Sequence, residues 1–139
     1  MRLYGRVYKD GKFWLAEVPI LDAMTQGHTR KDAFAMVKDL LETLFNRPGF
    51  IVTVHPGKHG EFEVSSNDPR GLVSLLLRRQ REKSGLSLSE AAERLGAKSR
   101  NAYARYEQGI SMPSLEKLTE LYQAVAPGKD IVIRQSVIA

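Results

Sequence analysis

The feature that most constrains this chain is the break at Ser65-Ser66-Asn67-Asp68-Pro69, where the hydrophobic pattern changes period. Before it, short runs rich in aromatic and β-branched residues predominate, as in strands. After it, apolar residues recur at three- and four-residue steps in short segments, most of them closed by glycine. No other polar, turn-forming stretch in the 139 residues is long enough to separate two domains. The expected division is therefore residues 1–66 and 67–139.

Charge follows the same boundary. From Met1 to Asp68, nine Lys/Arg balance nine Asp/Glu; from Pro69 to Ala139, twelve face seven, so the whole net charge of +5 lies in the second part. Such a field attracts polyanions and speeds encounter without dictating a fold. A neutral module followed by one suited to a phosphate backbone is the organisation this implies. There is no cysteine, which excludes disulfides, zinc–thiolate sites and thiol nucleophiles. The first residues lack the basic-then-apolar profile of a signal peptide. The longest solidly apolar run, Leu72–Leu77, is far too short to span a bilayer. The expectation is a soluble, cytoplasmic protein without a membrane partner.

In the first part, Leu3–Tyr8 and Phe13–Val18 read as strands around Lys9-Asp10-Gly11-Lys12, with Asp-Gly as the tight turn. Pro19 ends that pairing or confines it to an edge. A third strand is expected near Met24–Gln26. Thr29–Phe45 reads as an amphipathic helix, with Thr29 and Asp32 in a capping pattern and Phe34, Val37, Leu41 and Leu44 as the apolar stripe. Pro48-Gly49 is its stop. Strands at Phe50–His55 and Glu61–Ser65 follow. The resulting class is α+β: a small antiparallel sheet with one packed helix, in the order β-β-β-α-β with room for a final strand.

In the second part, Gly71–Lys83 is a helix that stops at Gly85. Ser87-Leu88-Ser89-Glu90 forms a full capping box for a short helix that ends at Gly96. Ser99 opens the next, which stops at Gly109. Pro113-Ser114 opens another, with Leu115, Leu118, Leu121, Tyr122 and Val125 on one face. Two short helices joined by a glycine turn form a helix-turn-helix, whose second helix enters the major groove. The helical phase assigns Ala102, Tyr103 and Tyr106 to packing, and Ser99, Arg100, Asn101, Ala104 and Arg105 to the outside. Arg and Asn offer bidentate edges to guanine and adenine, so Arg100 and Asn101 are the expected base readers, with Arg105 as a third candidate. Lys98 and Ser99 suit phosphate, helped by the helix N-terminus. The weakly alternating Asp130–Ile138 is a candidate last strand, either within its own domain or across a dimer interface.

Catalysis is not expected. Two-metal chemistry needs several carboxylates converging on ions about 4 Å apart, whereas Asp10, Glu17, Asp22, Asp32, Asp39, Glu42, Glu61 and Glu63 are scattered. His55 and His59 have i,i+4 spacing, but Pro56-Gly57 forbids the helix that would align them as metal ligands. No cofactor motif is present. Trp14 is open to two roles, a partner anchor or a core aromatic. His28 lies in a surface loop.

The stretch LSLSEAAERLGAKSRNAYARYEQGISMPSLEKL, Leu86–Leu118, resembles the Xre/Cro-type helix-turn-helix family. The resemblance rests on Ala92, Leu95-Gly96, Glu107-x-Gly109 and Pro113-Ser114-Leu115; Leu88 stands where that family often carries a phosphate-binding Gln. The first part resembles the N-terminal domain of HicB-type antitoxins, through Val18-Pro19, Thr25-Gln26-Gly27-His28-Thr29 and Asp32-Ala33 in that order. Asp22-Ala23-Met24 replaces the glycine-containing turn usual there. The resemblance implies a partial RNase H-like domain that binds a HicA-type ribonuclease toxin, with Trp14, Asp22 and His28 as candidate contacts. It further implies autorepression through operator double-stranded DNA and assembly as a homodimer or higher oligomer. The alternative is a stand-alone transcriptional regulator whose first domain senses a ligand or mediates oligomerisation.

Overall fold

The computed structural model of the protein describes residues 1–138. Strands β1 (Leu3–Asp10) and β2 (Phe13–Val18) form a hairpin in which Asp10 pairs with Phe13. The turn is therefore Gly11-Lys12, one residue later than the Asp-Gly reading. Gly11 takes a φ of +61° at the first central position, the arrangement that matches strand twist when glycine leads the turn. Pro19–Leu21 makes one 3₁₀ turn, and β3 (Ala23–Gly27) returns along β2. Helix α1 (Arg30–Phe45) follows, then β4 (Val52–Pro56) and β5 (Glu61–Ser66). The order in the sheet is β3-β2-β1-β5-β4, antiparallel throughout.

Alternation along the strands buries Leu3, Val7, Ala16, Val18, Phe62 and Val64 on one side, and α1 covers that side. Thr29 caps the helix by accepting the Asp32 N–H at 3.0 Å, as the capping pattern requires. Its buried stripe is Ala33, Val37, Leu41 and Phe45. Phe34 and Leu44, expected in the stripe, are only half-buried; Phe34 instead meets Phe62 edge-on, with ring centroids 5.3 Å apart. The helix ends before Pro48, because Asn46 adopts the left-handed conformation and returns its N–H to Glu42.

Asp68 opens α2 (Pro69–Lys83): its carboxylate accepts the Gly71 N–H at 2.9 Å and its carbonyl accepts the Leu72 N–H. The chain forms two compact units that divide inside α2, Met1–Leu72 and the part from Val73 onward. The second unit continues with α3 (Leu88–Arg94), α4 (Arg100–Glu107) and α5 (Leu115–Val125). Leu121, Tyr122, Ala124 and Val125 bury one face of α5, but Leu115 at its start is exposed, contrary to the expected stripe. Asp130–Ile138 forms no strand within its own unit, against the first of its two readings. Among the described residues, no helix is long and apolar enough to cross a membrane.

Candidate nucleic-acid interface

The geometry of the site begins with how its helices stop. At the end of α3, the Gly96 N–H reaches the Glu93 carbonyl at 2.9 Å and the Ala97 N–H reaches the Ala92 carbonyl at 3.0 Å. This double closure is a Schellman motif, which needs a left-handed residue at its centre. Gly96 supplies it with a φ of +77°. The same pair of bonds closes α2 through Gly85 and Leu86, and α4 through Gly109 and Ile110. At the other end of α3, Ser87 and Glu90 complete the capping box, each side chain accepting the other's backbone N–H. The hydrogen bond from the Ser87 backbone N–H, and after it the Ser87 side chain, holds the Glu90 carboxyl below its ordinary range.

Five consecutive residues, Lys98 to Ala102, are exposed across the turn and the first part of α4. Ser99 occupies the N-cap position in extended conformation, yet its side chain makes no capping bond. An N-terminus left uncapped in this way keeps its partial positive charge available to an anion. Arg100 and Asn101 stand on the first turn. Tyr103 and Ala104 turn inward, at 0 and 4 % exposure. The expected roles of Ala102 and Ala104 are therefore exchanged, because the inward face is set by Tyr103 and its neighbour Ala104. Arg105 is exposed as expected, but it is held away from the N-terminal turn. Its Nε and Nη2 donate to the Ser111 hydroxyl at 3.0 and 2.8 Å, and its guanidinium lies 5.9 Å from the Tyr106 ring centre.

Behind α4, Arg81 makes three bonds at once. It forks onto Glu107 and donates to the Leu86 carbonyl, tying the end of α2 to the last turn of α4. Burial above all, and then the Glu107 carboxylate, push the Tyr103 hydroxyl pKa far up, so it stays a neutral core group.

Residues 77–124 match the helix-turn-helix family HTH_3. The match spans Leu77 in α2 to Ala124 in α5 and so takes in the whole exposed surface of α3, the turn and α4. It supports DNA binding and transcriptional regulation by this helix-turn-helix unit. No curated protein matches the chain. The helix-turn-helix unit also presents Gln108, exposed one turn beyond Arg105 and not among the expected readers. Arg81 was missed as well; its signal was a cation in the last turn of α2 upstream of the Glu107-x-Gly109 close.

In the first unit, the structure does not bring Trp14, Asp22 and His28 to one spot. Trp14 pairs with Gly27 and shares the helix-facing side with Ala16 and Val18, half-buried. Asp22 sits in left-handed conformation at the end of the 3₁₀ turn, separated from His28 by the length of β3, about 20 Å of extended chain. His28 is exposed and packs on Phe13 with ring centres 5.5 Å apart. Phe13, His28, Asp32 and Met36 line an open depression of about 320 Å³. Among the described residues no group of three or more His, Asp or Glu is placed to hold a metal. His55 binds the Ser65 hydroxyl at 2.7 Å and is not joined to His59.

Proposed function

We propose that the protein is the antitoxin of a type II toxin–antitoxin pair, acting without catalysis of its own. Its first unit, with a partial RNase H-like outline, binds and inhibits a HicA-type mRNA-cleaving toxin. Its second unit binds operator DNA and represses the operon. The observation that carries this reading is the pairing of a helix-turn-helix with a unit whose signature residues each have a structural task. Gly27 lets β3 run so close to α1 that a Cβ there would lie 2.5 Å from the Ala33 nitrogen. Thr29 caps α1, and Pro19 begins the 3₁₀ turn. On the DNA, Arg100 and Asn101 read base edges while Lys98 and Ser99 meet phosphate, with Arg105 in a lesser role. The test is co-expression with the product of the adjacent open reading frame, scoring growth rescue and co-purification. A toxic neighbour neutralised in a stoichiometric complex supports the reading; a chain that neither rescues nor binds overturns it.

One observation favours a second reading, a stand-alone regulator that senses a ligand. The depression beside Phe13, His28 and Met36 is of the size that small-molecule sites begin at, and mostly apolar. A small molecule that displaces the protein from its operator, with no toxin in the operon, would select it.

A further inference from the structure

The sheet of the first unit ends in two edges, β3 and β4, and the chain treats them differently. On β4, the Val52 N–H is taken by the Glu42 carboxylate at 2.9 Å, and Pro56 has no N–H to offer. Such devices keep an edge from pairing with another chain. On β3 there is no proline, lysine or bulge, and Met24 is 54 % exposed.

The ladder fixes which main-chain groups of β3 face outward. Asp10 and Phe13 close a two-residue hairpin and so exchange hydrogen bonds, and bonded pairs alternate from there. Val7 and Ala16 are then a non-bonded pair, and the Val7 N–H goes to the Gly60 carbonyl at 2.8 Å instead. By the same alternation, Trp14, Ala16 and Val18 bond to Gly27, Thr25 and Ala23. The N–H and C=O of Met24 and Gln26 therefore point away from the sheet.

The depression beside His28 lies along this edge. Gln26, Gly27 and Phe13 bound it on the sheet side, and Asp32, Ala35 and Met36 on the helix side. Its volume of about 320 Å³ has room for a large apolar side chain next to an added strand. Asp32, Met36, Asp39 and Leu40 share one flank of α1 by their i, i+4, i+7, i+8 spacing. Asp32 and Asp39 are exposed, and neither is in an ion pair among the described residues. Lys31 and Lys38 fall on the other flank, where Lys38 holds Glu42 at 2.6 Å. Lys12 lies past the Trp14–Gly27 pair, beyond the end of β3.

We propose that β3 takes a strand of the ribonuclease toxin as the sixth strand of the sheet. An apolar side chain of that strand fills the depression, and lysine or arginine beside it meets Asp32 and Asp39. This rests on the antitoxin reading and assigns the edge at which the toxin is held. An enzyme that cleaves mRNA carries cations for the phosphate backbone, and carboxylates on its inhibitor complement them. In strand addition, main-chain bonds give affinity and the pockets for alternate side chains give selection.

The test uses the full chain and the product of the adjacent open reading frame. Gln26→Pro deletes one outward N–H, a change an edge strand accepts because no bond within the sheet is lost. It should raise the dissociation constant of the complex by about tenfold or more. Gln26→Ala, which keeps the N–H, should lose far less. Met36→Lys should weaken binding comparably, because it sets a cation in the depression against those of the partner. Thr53→Lys, exposed on β4, should leave the complex unchanged. All four free chains should keep the circular dichroism and operator binding of the parent. In the complex, the amides of Met24 and Gln26 should exchange with D₂O more slowly than in the free chain, with the Val54 amide on the other edge unaffected. If Gln26→Pro does not fold, Met36→Lys and these two amides decide. A complex indifferent to Gln26→Pro and Met36→Lys, or weakened by Thr53→Lys instead, overturns the proposal and leaves the antitoxin reading standing. Loss with Met36→Lys but not with Gln26→Pro fills the depression without an added strand, and overturns it too. A parent chain that neither rescues growth nor binds overturns both.

Discussion

Arg81 and Glu107 face each other as a two-bond fork, Nε to Oε2 at 2.7 Å and Nη2 to Oε1 at 3.0 Å, while the third arm of the guanidinium holds the Leu86 carbonyl at 2.9 Å. The side chains are 15 and 6 % exposed. Removing one partner from a largely buried pair leaves the other charge uncompensated, which costs more than the pair itself is worth. Glu107→Ala should therefore destabilise the protein by about 2–4 kcal/mol, read as a lower urea midpoint. Replacing both residues by Met should cost less than the sum of the single changes. Additive losses would mean that the two side chains act independently.

The turn into α4 offers a different kind of test. A Cβ at Gly96 would meet nothing within 4 Å, but φ is +77°. The cost of Gly96→Ala is thus conformational alone, about 1–2 kcal/mol. Gly96→Asn should lose less, since Asn tolerates the left-handed region. Equal losses for the two variants, measured by thermal unfolding, would point to a steric cause instead.

Gly27 is the opposite case. Its φ lies outside the left-handed region, yet an added Cβ would lie 2.5 Å from the Ala33 nitrogen and 2.7 Å from the Asp32 carbonyl carbon. The obstacle is main chain, which cannot rotate aside. Gly27→Ala should push the first turn of α1 away from β3 and cost about 1–3 kcal/mol, as overpacking does. Binding at the first unit should fall with it, while the isolated helix-turn-helix function on DNA is retained. A variant as stable as the parent would show that α1 shifts freely on the sheet.

Local signals account for what could be read from the residues alone. Hairpins, caps and glycine stops depend on neighbours a few positions apart, so Thr29, Ser87-x-x-Glu90 and Gly96 were legible. The helical phase was less so. Ala104 goes inward beside Tyr103, and Leu115 stays outside, because burial depends on which helices pack against α4 and α5. The glycine in β1 illustrates the same limit. Gly5 pairs with Phe62, whose ring lies over it so closely that a Cβ would overlap. That contact joins residues 57 positions apart and leaves no local trace. The Arg81–Glu107 fork spans 26 positions, with only the cation in the last turn of α2 as its signal, and the Arg105–Ser111 contact depends on how the chain folds back after α4; both decide which arginines remain at hand for a ligand.

The first unit should lose stability in mild acid through His55. Burial, then the charge of Arg2, holds its pKa below the ordinary 6.5, with Glu63 opposing. The unfolded chain therefore takes up this proton at a higher pH than the folded one. Stability is unaffected by this group above about pH 6.5 and falls as the pH drops below it, until the folded imidazole also protonates. His55→Gln should flatten that part of the profile, measured as urea midpoints between pH 7.5 and 5. An unchanged slope would assign the acid sensitivity to other groups.

The exposed cations near α4 should separate by task. Arg100→Ala and Asn101→Ala should each weaken operator binding by about 1–3 kcal/mol and leave binding to random DNA nearly intact. Lys98→Ala should instead weaken both, and lower the salt slope of the binding constant by about one. Arg105→Ala should cost less than Arg100→Ala, because the Ser111 hydroxyl already holds two of its donors toward the C-terminal end of α4. These side chains are exposed, so urea midpoints should not move. If Arg105→Ala proves the more damaging change, the reading surface lies along the second half of α4, toward Gln108 and Ser111, rather than at its uncapped N-terminus.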